Sequence, residues 1–241
     1  MDLILFYILA LLAEIAGTVG GFGSSIFLIP IAGLFFDFQT VLAVTGVLHV
    51  FSNIIKIKLF KQGIDFKLLL LIGLPSVIWV FVGSVLTKYL NLIYAELILG
   101  IFLIFFSILF FIKPNLKLKP TKFNAISGGS VAGFLAGIIG TGGAIRGMSL
   151  ASFNLEKNIF IATSAAIDLG VDSTRSAVYL FNGYLHKEFY FMVPILLGIA
   201  VIGSYLGKEI LKKVRQESFK KIVLVFIFGI GVFMVTKYLP L

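Results

Sequence analysis

The stretch GTVGGFGSSIFLIP, which runs from Gly17 to Pro30, has four glycines among its first seven residues. The residues on both sides of it are apolar and suit a helix, whereas a glycine inside a helix costs about 1 kcal/mol relative to alanine. The cluster therefore predicts a break between two helices. The role of that break depends on what surrounds it.

The chain around the break has the composition of a membrane protein. Hydrophobic residues make up 59% and charged residues 13% of its 241 residues, whereas a soluble domain carries about 25% charged residues. Uncharged runs cover residues 68–87, 97–112 and 189–207, and each approaches the roughly 20 residues that a helix needs to cross a bilayer. No run alternates as the strands of a membrane barrel do, so we predict an all-α integral membrane protein.

The inventory of charged and reactive residues narrows the function classes. The chain has no cysteine, which excludes disulfides, thiol catalysis and thiolate metal sites. Its 20 basic residues outnumber its 11 acidic ones, but they cluster in short loops, which is typical of membrane orientation and not of nucleic-acid binding. The sequence contains no evident metal-ligand cluster and no pair of nucleophile and base, so we predict neither an enzyme nor a bound metal or cofactor.

The chain contains an internal repeat. A shift of 120 residues aligns Gly17 with Gly137, Gly20 with Gly140, and Gly23 with Gly143. A shift of 119 aligns His49 with Asp168, Asn53 with Asp172, and Lys56 with Arg175. Such ordered matches indicate a duplication. We therefore divide the one membrane domain into a first repeat at 1–112, a linker at 113–122 and a second repeat at 123–241.

The loop charges indicate how the two repeats are oriented. In the first repeat, the loop from Lys56 to Lys67 holds four lysines and the turn at 88–91 holds one. In the second repeat, the loop at 182–188 holds one lysine and the loop at 208–221 holds six basic residues. Because basic loops stay on the cytoplasmic side, equivalent loops then face opposite sides. We therefore predict inverted repeats, as in many secondary transporters.

Inversion requires an odd number of membrane crossings in each repeat. Three helices are clear in each, at 40–60, 67–88 and 92–112 in the first and at 158–181, 189–210 and 218–238 in the second. The glycine-rich segment must then contribute an even number, none or two, as a helical hairpin does. We predict such hairpins at 3–19 with 24–36 and at 123–139 with 144–153, and leave open whether they re-enter or cross twice. The predicted fold is thus two inverted repeats, each a glycine-broken helical hairpin plus three transmembrane helices.

The glycine breaks predict a binding site. Backbone that leaves helical geometry inside a membrane persists only where it is buried or lines a polar cavity. A short helix that starts there points its N–H groups and its positive dipole end at the site, which favours an anion. The candidate binding residues at the two tips are Gly20, Gly21, Gly23, Ser24, Ser25, Gly140, Thr141, Gly142, Gly143 and Arg146. The alternative is that the glycines only allow close helix packing.

Ionisable residues within apolar sequence form a second group of candidates. Asp168, Asp172 and Arg175 are spaced by four and three residues and so share one helix face. Charges inside a membrane are costly and typically line a pathway. We therefore add Arg175 and Asn53 to the binding residues and treat His49, Asp168 and Asp172 as candidates for coupling to protons. The alternative is an Asp–Arg pair that only locks the helix.

Two further residues allow more than one interpretation. Arg146 follows the second glycine tip, where its planar guanidinium would bind an oxyanion through two hydrogen bonds; the alternative is that it extends to the membrane interface. Glu14 lies in an apolar helix, but the residue aligned with it in the second repeat is the apolar Phe134. Its role stays open.

The residues named so far resemble those of the TauE/SafE family of sulfite and organosulfonate exporters. The resemblance lies in a glycine-rich break before a short apolar helix with proline (GTVGGFGSSIFLIP), a helix that bears Asn or Asp (AVTGVLHVFSN, ATSAAIDLGVD), and a Gly-Ile-Asp-Phe turn from Gly63 to Phe66. It covers nearly the whole chain, although the second half has Leu150 where the first has Pro30. It implies a multi-pass permease for small sulfur-containing anions in a bacterial or archaeal cell membrane.

These inferences predict a secondary transporter that exports sulfite or an organosulfonate by alternating access. The residues themselves indicate only a small anion, and the sulfur comes from the resemblance. The alternatives are a permease for another anion, such as a carboxylate, and an accessory membrane subunit that does not transport. The expected partners are the anionic substrate, the lipid bilayer and protons as the coupling ion, with no nucleic acid. Whether the chain forms a homodimer is left open.

Overall fold

The computed structural model describes residues 3–20, 23–60, 63–90, 92–113, 116, 119–213, 224–225, 228–229 and 231–236. Within these residues all regular structure is helical, which confirms the predicted all-α class. The helices of the first half are α1 (Leu3–Gly20), α2 (Ser25–Ala32), α3 (Phe38–Leu59), α4 (Phe66–Leu68), α5 (Leu74–Leu86) and α6 (Leu92–Ile112). Those of the second half are α7 (Lys122–Ile139), α8 (Gly143–Ala151), α9 (Lys157–Phe181) and α10 (Met192–Leu211).

Within the part of the chain that the structure describes, five helices are long and apolar enough to cross a membrane. They are Leu3–Gly20, Phe38–Leu59, Phe66–Tyr89, Lys122–Ile139 and Met192–Leu211. The third combines α4, a π-helical turn at Leu69–Gly73, α5 and a 3₁₀ turn at Thr87–Tyr89. Its face with Leu74, Ile78 and Phe81 is more than half exposed, as expected of side chains that contact lipid. The protein is therefore a multi-pass membrane protein.

The predicted helix bounds agree with the structure to within three residues except in two places. The short helix expected at 24–36 ends at Ala32, because the chain turns after Gly33 and Asp37 begins α3 by accepting hydrogen bonds from the backbone N–H groups of Gln39 and Thr40. The helix expected at 218–238 falls largely outside the described residues, although the described part of it is helical.

The helices of the two halves pack against one another in a reciprocal way. Helix α1 of the first half packs along α10 of the second, and α7 of the second packs along Phe66–Tyr89 of the first. Between these pairs, α3 packs along α9. His49 contacts Arg175 and Asn53 contacts Asp172, so the residue numbers fall along α9 as they rise along α3, and the two helices run antiparallel.

The bundle has two ends of different charge. At the end that we call the neutral end, the Thr87 hydroxyl lies 3.1 Å from the Tyr184 hydroxyl, so the turns after α5 and α9 meet there. At the opposite end, which we call the basic end, Lys208 Nζ donates to the Leu59 carbonyl at 2.9 Å and Lys157 Nζ to the Leu211 carbonyl at 3.2 Å. The lysines at the basic end include Lys58, Lys67, Lys122, Lys157, Lys208, Lys212 and Lys213.

At three positions, the interface of α7 with Phe66–Tyr89 leaves no room for a side chain. Three glycines of α7, at positions 129, 133 and 137, face the backbone of the other helix. A Cβ atom added to Gly133 would lie 2.2 Å from the Ser76 carbonyl oxygen, and one added to Gly137 would lie 2.5 Å from that of Val80. Association of helices in lipid depends on such close packing, so this interface holds the two halves together.

We expect Gly133→Ala to lower the thermal stability of the detergent-solubilised protein. The added methyl must push two backbones apart, and overpacking of this kind costs about 1–3 kcal/mol. Gly198→Ala is the matched control, because nothing lies within 4 Å of a Cβ atom at Gly198 in α10. Melting curves of both variants test this. Equal melting temperatures would contradict it, because they would show that the α7 interface accommodates the added methyl group.

Candidate functional site

The two glycine breaks meet in the middle of the bundle. The Ser25 hydroxyl, at the start of α2, lies 3.1 Å from the Thr141 hydroxyl, just before α8. Helix α1 ends at Gly20, while Gly21 lies outside the described residues. The sequence predicted that these tips come together, and the contact between residues 116 positions apart brings them to one place.

The two breaks differ in their backbone geometry. Positive φ angles occur at Gly23 (86°) and at Gly140 (77°), which are not aligned positions of the repeat. These conformations cost a residue with a Cβ atom about 1–2 kcal/mol, so glycine is needed at both. Neither N-cap residue, Ser24 of α2 or Gly142 of α8, caps its helix with a side chain. The first-turn N–H groups of both helices are therefore left without a side-chain cap beside the junction of the tips.

The second break also frees carbonyl groups at the end of α7. The Tyr179 hydroxyl donates to the Gly137 carbonyl at 2.6 Å. Tyr179 is fully buried and stacks on Tyr184. A single α9 side chain thus satisfies backbone that the break leaves unpaired, which is the condition for non-helical backbone to persist in a membrane.

A small cavity lies between the tips, α3 and α9. Most of the predicted site residues line it, together with three that were not predicted: the lining residues are Gly23, Ser24, Ser25, His49, Asn53, Lys56, Ala136, Gly140, Gly142, Gly143, Arg146, Asp168, Val171 and Asp172. Its volume is about 20 Å³, which is room for about one water molecule. The predicted residues Gly20, Thr141 and Arg175 are not among its lining residues.

Arg146 and Asp168 form an ion pair at this cavity. The two terminal nitrogens of the guanidinium contact the two carboxylate oxygens of Asp168, one each. Both residues are buried, at 3% and 9% exposure. Arg146 therefore does not extend to the membrane interface, and the edge of its guanidinium that suits an oxyanion holds a carboxylate.

A second ion pair joins α3 to α9. Arg175 Nε donates to Asp172 Oδ1 at 2.6 Å, and the Asn53 amide donates to Asp172 Oδ2 at 2.7 Å. Arg175 also contacts His49 Nδ1 at 2.9 Å. A guanidinium only donates hydrogen bonds, so His49 Nδ1 accepts and its proton lies on Nε2. The partner of Arg175 is thus Asp172, whereas Asp168 pairs with Arg146 of α8.

Three buried N–H donors around the cavity have no acceptor among the described residues. They are His49 Nε2, Arg146 Nε and Arg175 Nη1. The first two belong to lining residues, and Arg175 Nη1 lies 3.4 Å from where a Cβ atom would stand on Gly140. Buried polar groups are nearly always paired in native proteins. Donors grouped in this way suit a chemical group that only accepts hydrogen bonds, as an anion does.

Comparison with known proteins supplies the family. A family model described as "Sulfite exporter TauE/SafE" matches residues 6–234 of the 241. The chain belongs to the TauE/SafE sulfite exporter family. No curated protein and no solved structure gives a match. The resemblance noted from the glycine breaks is thus confirmed, and the family is one of membrane transporters, whose ligands are small anions and whose surroundings are lipid.

The main feature of this TauE/SafE protein that the sequence did not reveal is a cluster around Glu14. Glu14 lies in α1 and is fully buried. Its carboxylate forms an ion pair with Lys56 Nζ at 2.8 Å and accepts a hydrogen bond from the Ser204 hydroxyl at 3.1 Å. The hydroxyls of Ser24 and Ser52 also donate to it. Glu14 therefore ties the first glycine tip to α3 and α10.

Lys56 corrects an expectation. The loop-charge argument counted it as a loop lysine, but it lies inside α3 and is 6% exposed. Its ion pair with Glu14 explains the burial, because an unpaired charge there would be costly. The only sequence signal for the pair is an acidic residue within the apolar helix α1, and that signal does not name the partner.

We expect Glu14→Ala to destabilise the folded protein by about 3–5 kcal/mol, because it leaves the Lys56 charge buried and unpaired. Replacing both partners, in a Glu14→Ala, Lys56→Met variant, removes the charge and should cost less than Glu14→Ala alone. Glu209→Ala is the control, since Glu209 forms an exposed pair with Lys212, and we expect its melting temperature to stay unchanged. A double variant that is less stable than Glu14→Ala alone would refute the pairing.

Proposed function

We propose that this protein is a secondary transporter that carries sulfite or an organosulfonate across the cell membrane, with its substrate bound between the two glycine tips. The observation that carries the proposal is the set of three buried N–H donors without acceptors, on His49, Arg146 and Arg175. Sulfite and sulfonates have three oxygens that accept hydrogen bonds, so they complement such a set. The family membership supports a sulfur-containing substrate, and the donors of the site support an anion.

Alternating access of two inverted halves is the mechanism that we propose. Three features support it: the antiparallel course of α3 and α9, the reciprocal packing of the halves, and the position of the site at helix breaks, as in other transporters built from inverted repeats. The small cavity volume fits an arrangement that is closed around the site. We place the boundary between the halves in the linker at 113–122 and the basic end in the cytoplasm.

Cysteine labelling tests this topology, because the chain has no native cysteine. Leu90→Cys and His186→Cys lie at the neutral end and should react with a membrane-impermeant maleimide from outside intact cells. Lys119→Cys and Lys212→Cys should react only after the membrane is opened, because we place them in the cytoplasm. All four wild-type residues are exposed. Reaction of Leu90→Cys and Lys212→Cys from the same side would rule out the inverted arrangement.

Binding calorimetry with sulfite tests the site. Arg146→Lys keeps the charge but loses the planar pair of donors. Since a hydrogen bond to a charged group is worth about 1.5–3 kcal/mol, we expect affinity to fall by about tenfold or more. Acetate in the same titration distinguishes a carboxylate carrier, which would bind it as tightly as sulfite.

A glycine pair provides the matched control. A Cβ atom on Gly23 would lie 3.9 Å from Arg146 Nη2, whereas one on Gly183 would have nothing within 4 Å. Both residues have positive φ angles, so Gly23→Ala and Gly183→Ala carry similar backbone strain, but only Gly23→Ala should weaken sulfite binding. Unchanged affinity in Arg146→Lys and in Gly23→Ala, with both folded, would move the site elsewhere.

A further inference from the structure

The buried charges of the site sum to zero. Among the described residues, six charged side chains are buried: Glu14, Lys56, Arg146, Asp168, Asp172 and Arg175. They form three ion pairs, Glu14 with Lys56, Arg146 with Asp168, and Arg175 with Asp172. His49 adds no charge while its Nδ1 accepts from Arg175. An anion that entered this neutral site alone would leave one negative charge uncompensated in a medium where that is costly.

Asp168 occupies the place that a substrate oxyanion would take. It holds both terminal nitrogens of Arg146 through its two oxygens, which is the two-pronged geometry that guanidinium groups use for carboxylates and other oxyanions. Only Nε of Arg146 remains without an acceptor. The substrate can therefore take this edge of Arg146 only after the Asp168 carboxylate has given it up.

Of the three buried carboxylates, Asp168 is also the one that gives up the fewest hydrogen-bond partners when it is protonated. Asp172 accepts from both Arg175 and Asn53, and Glu14 accepts from Lys56 and several hydroxyls. Among the described residues, the donors to Asp168 come from Arg146 alone, and a bound anion would accept hydrogen bonds from those donors in its place. Its side chain is also the most exposed of the three, at 13%.

Among the described residues around Asp168, no other group would take over this exchange. The charged groups that face it are Arg146 of α8, Asp172 and Arg175 of α9, and Lys56 of α3; His49 of α3 lines the same cavity. Helix α5 contains no charged residue, and α7 has only Lys122 at its first position. Lys56 pairs with Glu14, and Asp172 pairs with Arg175, so the Arg146 pair is the one that can open.

We infer that this transporter moves a singly charged anion together with one proton, and that Asp168 is the proton carrier. In the empty site, Arg146 holds ionised Asp168. In the loaded site, a proton from the solution that delivers the anion sits on a carboxylate oxygen of Asp168, and Arg146 holds the anion instead. Both arrangements are electrically neutral. On the opposite side of the membrane the anion and the proton leave together, and ionised Asp168 pairs with Arg146 again. The inference rests on the function proposed above.

Methanesulfonate is the probe, because its single negative charge does not change over the pH range of the experiment. We expect its affinity for the wild-type protein to fall by about tenfold for each pH unit at alkaline pH, since one proton is bound with each anion. Asp168→Asn should bind it at alkaline pH as tightly as the wild-type protein does at acidic pH, and should lose the pH dependence. His186→Asn, which changes an exposed histidine outside the site, should behave as the wild-type protein.

The outcomes separate this inference from the proposed function. If the wild-type protein binds neither methanesulfonate nor sulfite at any pH, both are wrong. If it binds methanesulfonate equally at every pH, only the coupling is wrong. If the affinity for methanesulfonate still depends on pH in Asp168→Asn but not in His49→Gln, the proton belongs to the histidine and the role of Asp168 is overturned.

A transport assay with the wild-type protein tests the coupling without any variant. In liposomes that contain the protein and an internal pH dye, an inward methanesulfonate gradient should acidify the lumen. A potassium diffusion potential should leave the rate unchanged, because the loaded site is neutral. Uptake that follows the imposed potential and brings no proton with it would overturn the inference.

Discussion

Each buried carboxylate among the described residues faces a buried cation, and the arrangement of the central helices depends on that pairing. Glu14 with Lys56 ties α1 to α3, Arg146 with Asp168 ties α8 to α9, and Asp172 joins its own helix neighbour Arg175 to Asn53 of α3. In hydrocarbon a separated charge is far more costly than in water, so these helices cannot slide past one another unless the partners are exchanged. The cavity lies where the three pairs come together, because only there does the chain bring several charges into apolar surroundings.

Much of the fold was predictable because lipid imposes simple demands. Uncharged runs of a length that spans the bilayer predicted most helix bounds, and clustered glycines predicted both breaks. The one-face spacing of Asp168, Asp172 and Arg175 predicted that all three would be buried at one place. The spacing favours contacts within α9, and Arg175 does pair with Asp172 there. The partner of Asp168 was not predictable, because it is Arg146 from another helix. That choice depends on how deeply α8 enters the bundle, which no local pattern specifies.

The internal repeat helped the interpretation where the halves are alike and misled it where they have diverged. It drew attention away from Glu14, whose aligned residue is Phe134, although Glu14 holds the first glycine tip in place. It also implied equal breaks, whereas the positive φ angles fall at Gly23 and Gly140, which do not align. The two tips therefore have different backbone conformations and different side-chain support, since Arg146 has the apolar Ile26 as its aligned residue. Of the two tips, only the second is thus followed by an arginine, Arg146.

The glycine stripe of α7 has a mechanical consequence. At Gly129, Gly133 and Gly137 the backbone of α7 lies against that of Phe66–Tyr89. Such close packing favours movement of these two helices as one body, although they belong to different halves of the sequence. The counterpart, α1 with α10, is held instead by the Glu14 carboxylate and the Ser204 hydroxyl. In the rocking motion that we propose, the moving bodies would be these exchanged pairs, so the protein would flex along a line that differs from the boundary between its two sequence halves.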